Sequence, residues 1–179
     1  MSHVAMARTV EIFTTRLGTL SRLLDLAETQ WREAARDPET LLAARLAEDM
    51  LPLPYQIVFA CNQPNDFVAW CGNAPAPKAD PSTLNVVKMK QHVDATIEHL
   101  TEAKTRADDS LFERDKRIEL PGGSYLVLRG DLYVEDWLLP NFYFHLVTAY
   151  DVLRHAGVQI GKADYMAHLA GQVRAATPG

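Results

Sequence analysis

Cysteine is scarce in this chain, long apolar runs are missing, and no cluster of basic residues stands out. The two cysteines, Cys61 and Cys71, are ten residues apart. That spacing makes no C-x-x-C redox or zinc motif, and so small a number excludes a disulfide scaffold. It fits a reducing compartment, and the two thiols read as apolar groups carried on one helix. No apolar window approaches the roughly 20 residues that a membrane span needs. The N-terminus, MSHVAMARTVEIFTT, lacks a signal-peptide core and meets charge at Arg8 and Glu11. A cytoplasmic location is expected, with no membrane partner. The formal net charge is −5, and the basic residues are scattered. Their densest group is Arg114, Lys116 and Arg117. A nucleic-acid partner is therefore excluded, because phosphate neutralisation calls for a basic stripe. G-x-S-x-G, Walker and dinucleotide-fold patterns are also absent, so hydrolase and nucleotide readings have no support.

What is present is an ordinary globular composition of 179 residues, 47% apolar and 23% charged. Chains of this length form one domain and bury roughly 70% of their unfolded surface. A first helix is expected from Val4 to about Arg36. There Val10, Phe13, Leu17, Leu20, Leu24, Ala27 and Trp31 recur at helical spacing on one face. Asp37 and Pro38 suit the cap and first position of a new segment, a short stretch from Glu39 to Glu48. A second helix begins near Asp49 or Pro52 and runs to Trp70, with Pro64 expected to kink or break it. The stretch Asn73 to Ser82, NAPAPKADPS, reads as a loop. A third helix places Val86, Met89, Val93, Ile97 and Leu100 on one face and continues to about Ala107. Arg117–Leu120 and Tyr125–Arg129, around Pro121, Gly122 and Gly123, form a short β-hairpin across one end of the fold. The last helix opens near Asp131 as N-cap and stops at Gly157.

Four helices on one chain, without repeats or a boundary, give an all-α, single-domain, antiparallel up-and-down four-helix bundle. Its core spans about residues 4–165, and the hairpin is inserted before the last helix.

The last helix carries the candidate site. Asn141, His145, Thr148 and Val152 form one stripe beside the apolar stripe Phe142, Leu146, Ala149 and Leu153. Asn141 and His145 thus stand one turn apart at the edge of the core-facing side. Such a pair either satisfies itself in the core or lines a cavity. With Asp49, the three form a candidate cluster in which a carboxylate orients an imidazole for proton transfer. His92 and His99 flank the third helix's apolar stripe and are expected to be partly exposed. Arg154 and His155 fall in the last turn of the final helix, where cations suit its dipole. His3 and His168 receive no role. Trp137, Phe142, Tyr143 and Phe144 cannot all face one core, so Tyr143 and Phe144 must meet another helix, a lid or a second subunit.

The string PNFYFH, followed by TAY, LRHAGV and IGKADY, resembles the signature of a bacterial domain-of-unknown-function branch of the DinB-like (DinB/YfiT) superfamily. The earlier LAEDMLPLPYQ, Leu46 to Gln56, is similar to that branch's other landmark. The resemblance runs from about Thr9 to Tyr165. It implies the helical bundle, a homodimer, and a divalent-metal site of three histidines, one on the second helix and an H-x-x-x-H pair on the last. Some members are metal-dependent thiol transferases. Aligned on that pattern, His145 takes the second position of the pair and Asn141 the first. The second helix carries no histidine, and its nearby polar residues are Asp49 and Gln56. The expectation is therefore no firmly bound cofactor, with a weakly held divalent metal as the open alternative. Two functions follow. One is a small-molecule ligand in the bundle cavity, with His145 as acid/base or residual ligand. The other is a non-catalytic homodimeric interaction protein with a degenerate metal site.

Overall fold

The computed structural model describes residues 6–103 and 108–174. Four long helices carry the fold: α1 (Met6–Glu33), α2 (Leu53–Gly72), α3 (Val86–Ala103) and α4 (Leu139–His155). An antiparallel hairpin, β1 (Asp115–Glu119) and β2 (Tyr125–Arg129), precedes α4 and pairs Arg117 with Val127 at its centre. The all-α bundle with its inserted hairpin is thus present. Val4 and the expected end of the third helix, 104–107, lie outside the described residues.

The periodic stripes form the core. All seven apolar α1 positions named above are buried, as are Phe142, Leu146, Ala149 and Leu153 of α4. Phe13 stands at the centre, 5.0 Å edge-to-face from Phe142 and 5.9 Å from Phe67 of α2. These three rings join α1, α2 and α4 in one contact, an arrangement that adds about 0.5–1.5 kcal/mol per aromatic pair beyond burial.

The chain's path departs in one detail from simple alternation. Helices α1 and α3 run antiparallel: Ser21 bonds Asp94 at 2.9 Å, while Asp25, one turn later, meets Lys90, one turn earlier. Helices α2 and α4 are also antiparallel, since Gln56 meets His145 and Trp70 packs on Tyr133, which precedes α4. Helices α2 and α3, however, run parallel. The backbone N–H of Val86 donates to Glu39, just before α2, whereas Glu102 and Ala103 lie beside Ala69 and Gly72 at the far end. The order is up, down, down, up. A parallel neighbour requires the chain to return along the bundle, and the stretch from Asn73 to Ser82 does this. Its prolines favour extended backbone, and thirteen residues from 73 to 85 reach about 40 Å, more than the length of α2.

Pro64 does not break its helix. Helix α2 runs unbroken through Pro64, which is buried. Packing on α3 and α4 outweighs the lost backbone bond. Pro140 lies in the first turn of α4, directly after a π-helical turn, Tyr133–Leu138, that extends from the opening turn Gly130–Leu132. Asp131 is not the N-cap, because Arg129 holds that place. Asp131 is buried two residues further on, bonded to the Arg129 guanidinium and accepting from the Leu132 N–H at 2.8 Å. A buried carboxylate needs this pairing, and Arg129 supplies it. Helix α4 ends at His155, and Gly157, just past the cap Ala156, has a φ of 103° that suits the left-handed stop. The N-cap at Asp37 forms as expected, its side chain accepting from Glu39 N at 3.0 Å.

Candidate functional site

Helices α2 and α4 bring one polar pair together across the bundle. His145 Nδ1 lies 3.0 Å from Gln56 Oε1. The Gln56 amide nitrogen in turn donates to the Leu51 carbonyl at 2.9 Å. This second bond fixes which end of the amide faces the imidazole. An amide oxygen only accepts, so Nδ1 carries the proton and Nε2 holds the lone pair. Nε2 has no protein partner among the described residues and is not sealed from solvent.

The ring sits in an aromatic frame. Phe59 of α2 and Phe144 of α4 each lie edge-to-face, 5.1 Å from its centroid, and Tyr55 packs on Phe59 at 6.0 Å. Half-burial among these rings penalises the charged form and lowers the His145 pKa from its ordinary value. No carboxylate opposes that shift at the imidazole, because its partner is a neutral amide. The product is a neutral imidazole of fixed tautomer with one open nitrogen.

The other sequence candidates fall differently. Asn141 is half-buried one turn away, and its amide donates to the Trp137 carbonyl of its own helix at 2.7 Å. Asp49 lies in the exposed turn before α2 and makes no hydrogen bond to His145 among the described residues. Gln56, seven residues later and one helical turn into α2, meets the imidazole instead. In the sequence alone Gln56 is no more than a polar side chain near the start of α2. The signal available was its period: Gln56, Phe59 and Gln63 step by three and four along α2, with Gln56 as the buried polar member.

The three-histidine metal site finds a poor donor set here. One imidazole nitrogen is open, the Gln56 oxygen is taken by His145, and the Asn141 amide is turned to its own backbone. Amide oxygens bind zinc-like ions weakly compared with imidazole. These residues do not fit a tightly held ion of that kind.

The two cysteines behave as structural groups. Cys61 is buried and Cys71 half-buried on α2. Burial pushes the Cys61 thiol up to about 12 and Cys71 to about 11, so neither is a ready nucleophile. His99 is exposed, while His92 is half-buried with its Nε2 enclosed and unpaired. Tyr143 is half-buried against Phe142 at 5.5 Å, on the side of Tyr165. Phe144 presents 62% of its surface to solvent. Among the described residues, no helix is long and apolar enough to cross a membrane.

Comparison with known proteins agrees with this architecture. A family model described as "Domain of unknown function (DUF1993)" matches residues 6–166. No curated protein matches the chain. Among solved structures, the chain is similar to a DinB family member protein from Shewanella denitrificans, with 31% sequence identity and a TM-score of 0.77. The match covers 88% of this chain and 88% of that one.

Proposed function

The chain belongs to the DUF1993 family within the DinB family, and from that premise we propose that it binds a small molecule beside His145, whose Nε2 accepts a proton from the ligand without help from a firmly held metal. The observation that carries this reading is the contact between Gln56 Oε1 and His145 Nδ1. An acceptor at Nδ1 orients the ring and leaves the opposite nitrogen basic. Because the acceptor is an amide, the imidazole stays neutral at neutral pH and ready to take a proton. The aromatic frame of Phe59, Phe144 and Tyr55 would hold an apolar ligand body next to it. Gln56 and Asn141, in place of two histidines, would leave at most loose binding of a divalent ion.

The test begins with metal analysis of protein purified without chelator, which should find well under one equivalent. A thermal-shift screen of small molecules follows, since a ligand that binds the folded state raises its apparent stability. The hit expected from this screen loses its effect in His145→Gln while the unliganded melting temperature changes little. Stoichiometric metal, or a hit indifferent to His145→Gln, would count against the reading.

A homodimer formed through α4 is proposed alongside it. Phe144 and Val147 are 62% and 39% exposed and one turn apart on this helix. Val147 also opens onto a mainly apolar hollow with Tyr150 and Tyr165. Sedimentation should report about twice the 20.0 kDa chain mass. Phe144→Lys should shift it to one chain mass.

A further inference from the structure

A second recess lies two turns before His145 along the last helix, where the hairpin meets the bundle. It encloses about 310 Å³. Asp66 and Trp70 come from the end of α2, Lys116 and Ile118 from β1, and Tyr133 and Trp137 from the π-helical turn. Strand period two turns Lys116 and Ile118 inward and leaves Arg117 exposed, stacked on Tyr125. Trp70 and Tyr133 pack edge-to-face at 5.2 Å, and the Lys116 ammonium lies 5.6 Å from the Tyr133 ring centroid. π-Helical turns recur at functional sites because they re-aim side chains that a regular helix would point elsewhere. Here the turn brings Tyr133 and Trp137 to one wall.

The charges in this recess are incomplete. Asp66 is half-buried, and desolvation raises its pKa while the nearby Lys116 and Lys78 pull it down. Yet its carboxylate makes no hydrogen bond or ion pair among the described residues, and Lys116 likewise forms no ion pair. Lys116 and Lys78 thus act on Asp66 only at a distance, and Lys116 otherwise meets the Tyr133 ring, so neither charge has a hydrogen-bonded counter-ion in this partly desolvated hollow. A ligand carrying both opposite charges would satisfy both. The aromatic wall suits an ammonium through the ring faces and an apolar body through contact area.

We propose that this recess binds a small zwitterion of the amino-acid class with an apolar side chain, its ammonium against Asp66 and its carboxylate against Lys116. The proposal stands apart from the His145 reading, and it gives the hairpin a role in binding, because β1 supplies the cationic wall.

Two of the three tryptophans, Trp70 and Trp137, line the recess, so intrinsic fluorescence reads binding directly. The full chain is titrated with L-phenylalanine and L-leucine, and separately with 2-phenylethylamine and 3-phenylpropanoate, which carry only one of the two charges. The amino acids should give a saturable change, and each single-charge analogue should bind roughly tenfold or more weakly, the loss expected for one charge-assisted contact. Asp66→Asn and Lys116→Met, checked for folding by circular dichroism, should each weaken amino-acid binding to a similar degree. His145→Gln should leave it unchanged. No saturation by roughly 10 mM, a weak limit on the affinity scale, would overturn the proposal. So would an analogue of one charge binding as well as the zwitterions, or binding that falls with His145→Gln and survives both recess variants.

Discussion

Gln56 Oε1 and His145 Nδ1 lie 3.0 Å apart, joining residues 89 positions apart in sequence through one hydrogen bond between α2 and α4. Replacing Gln56 tests what that bond does. Gln56→Leu should leave the imidazole N–H without its acceptor, at a cost of about 1–3 kcal/mol in stability. Gln56→Glu should instead place a carboxylate against Nδ1 and raise the His145 pKa. Chemical denaturation and an NMR pH titration read the two effects. A His145 pKa that ignores Gln56→Glu would show that the two side chains do not meet.

The stability of the fold should depend on pH through its partly buried histidines. Burial lowers the pKa of both His145 and His92 in the folded chain. The unfolded chain therefore binds protons first as pH falls, and stability rises with pH across the window. The contribution is fully present above the ordinary value near 6.5 and is lost as pH drops through it towards the lowered folded values. Denaturation midpoints from pH 7.5 to pH 5 should decrease, and the combined change His92→Gln with His145→Gln should flatten that slope. A slope of the opposite sign would contradict the burial of both rings.

Asp49 provides a control for the site's boundary. Its carboxylate is exposed in the turn ahead of α2. Asp49→Ala should change stability by no more than about 0.5 kcal/mol. In a double-mutant cycle with His145→Ala the losses should add within roughly 0.3–0.5 kcal/mol. Coupling beyond about 1 kcal/mol would bring Asp49 into the His145 site.

The helices were legible because their apolar residues repeat every three or four positions, and burial follows that repeat from Val10 to Trp31 with no exception among the positions named. The hairpin was legible from Arg117–Leu120 and Tyr125–Arg129 on either side of a Pro-Gly-Gly turn, although its first strand starts two residues earlier, at Asp115, and ends at Glu119. Asp115 and Lys116 carry no strand signal of their own and pair only through Arg129 and Leu128. The parallel course of α2 and α3 was not, since a loop's composition does not disclose where it leads. Pro64 showed how tertiary packing overrides a local rule. Asp49 and Gln56 were both polar residues near the start of α2, but Asp49 falls in the turn ahead of the helix, while Gln56 lies on the α2 face turned towards α4. The Asp66 and Lys116 recess draws on three separate elements, α2, β1 and the π-helical turn, and nothing in the sequence brings Lys116 or Trp137 next to Asp66.

Gly130 marks where the hairpin must approach α2 closely. A Cβ there would meet the Leu111 carbonyl, the Trp70 ring at 2.8 Å and Phe112 Cα at 2.9 Å. Backbone cannot yield to it cheaply, so Gly130→Ala should cost about 1–3 kcal/mol, a drop of several degrees in melting temperature for a domain of this size. A neutral substitution would mean that the hairpin is not seated on Trp70 and Phe112.

At the centre of the proposed function stands one imidazole that is neutral, fixed in tautomer by Gln56, and open at Nε2. Long-range ¹H–¹⁵N correlation spectroscopy of the His145 ring at pH 7 reads all three properties. The predicted spectrum is that of a neutral ring protonated at Nδ1, with a pKa below the ordinary value near 6.5. A ring protonated at Nε2, or an imidazolium at pH 7, would contradict it.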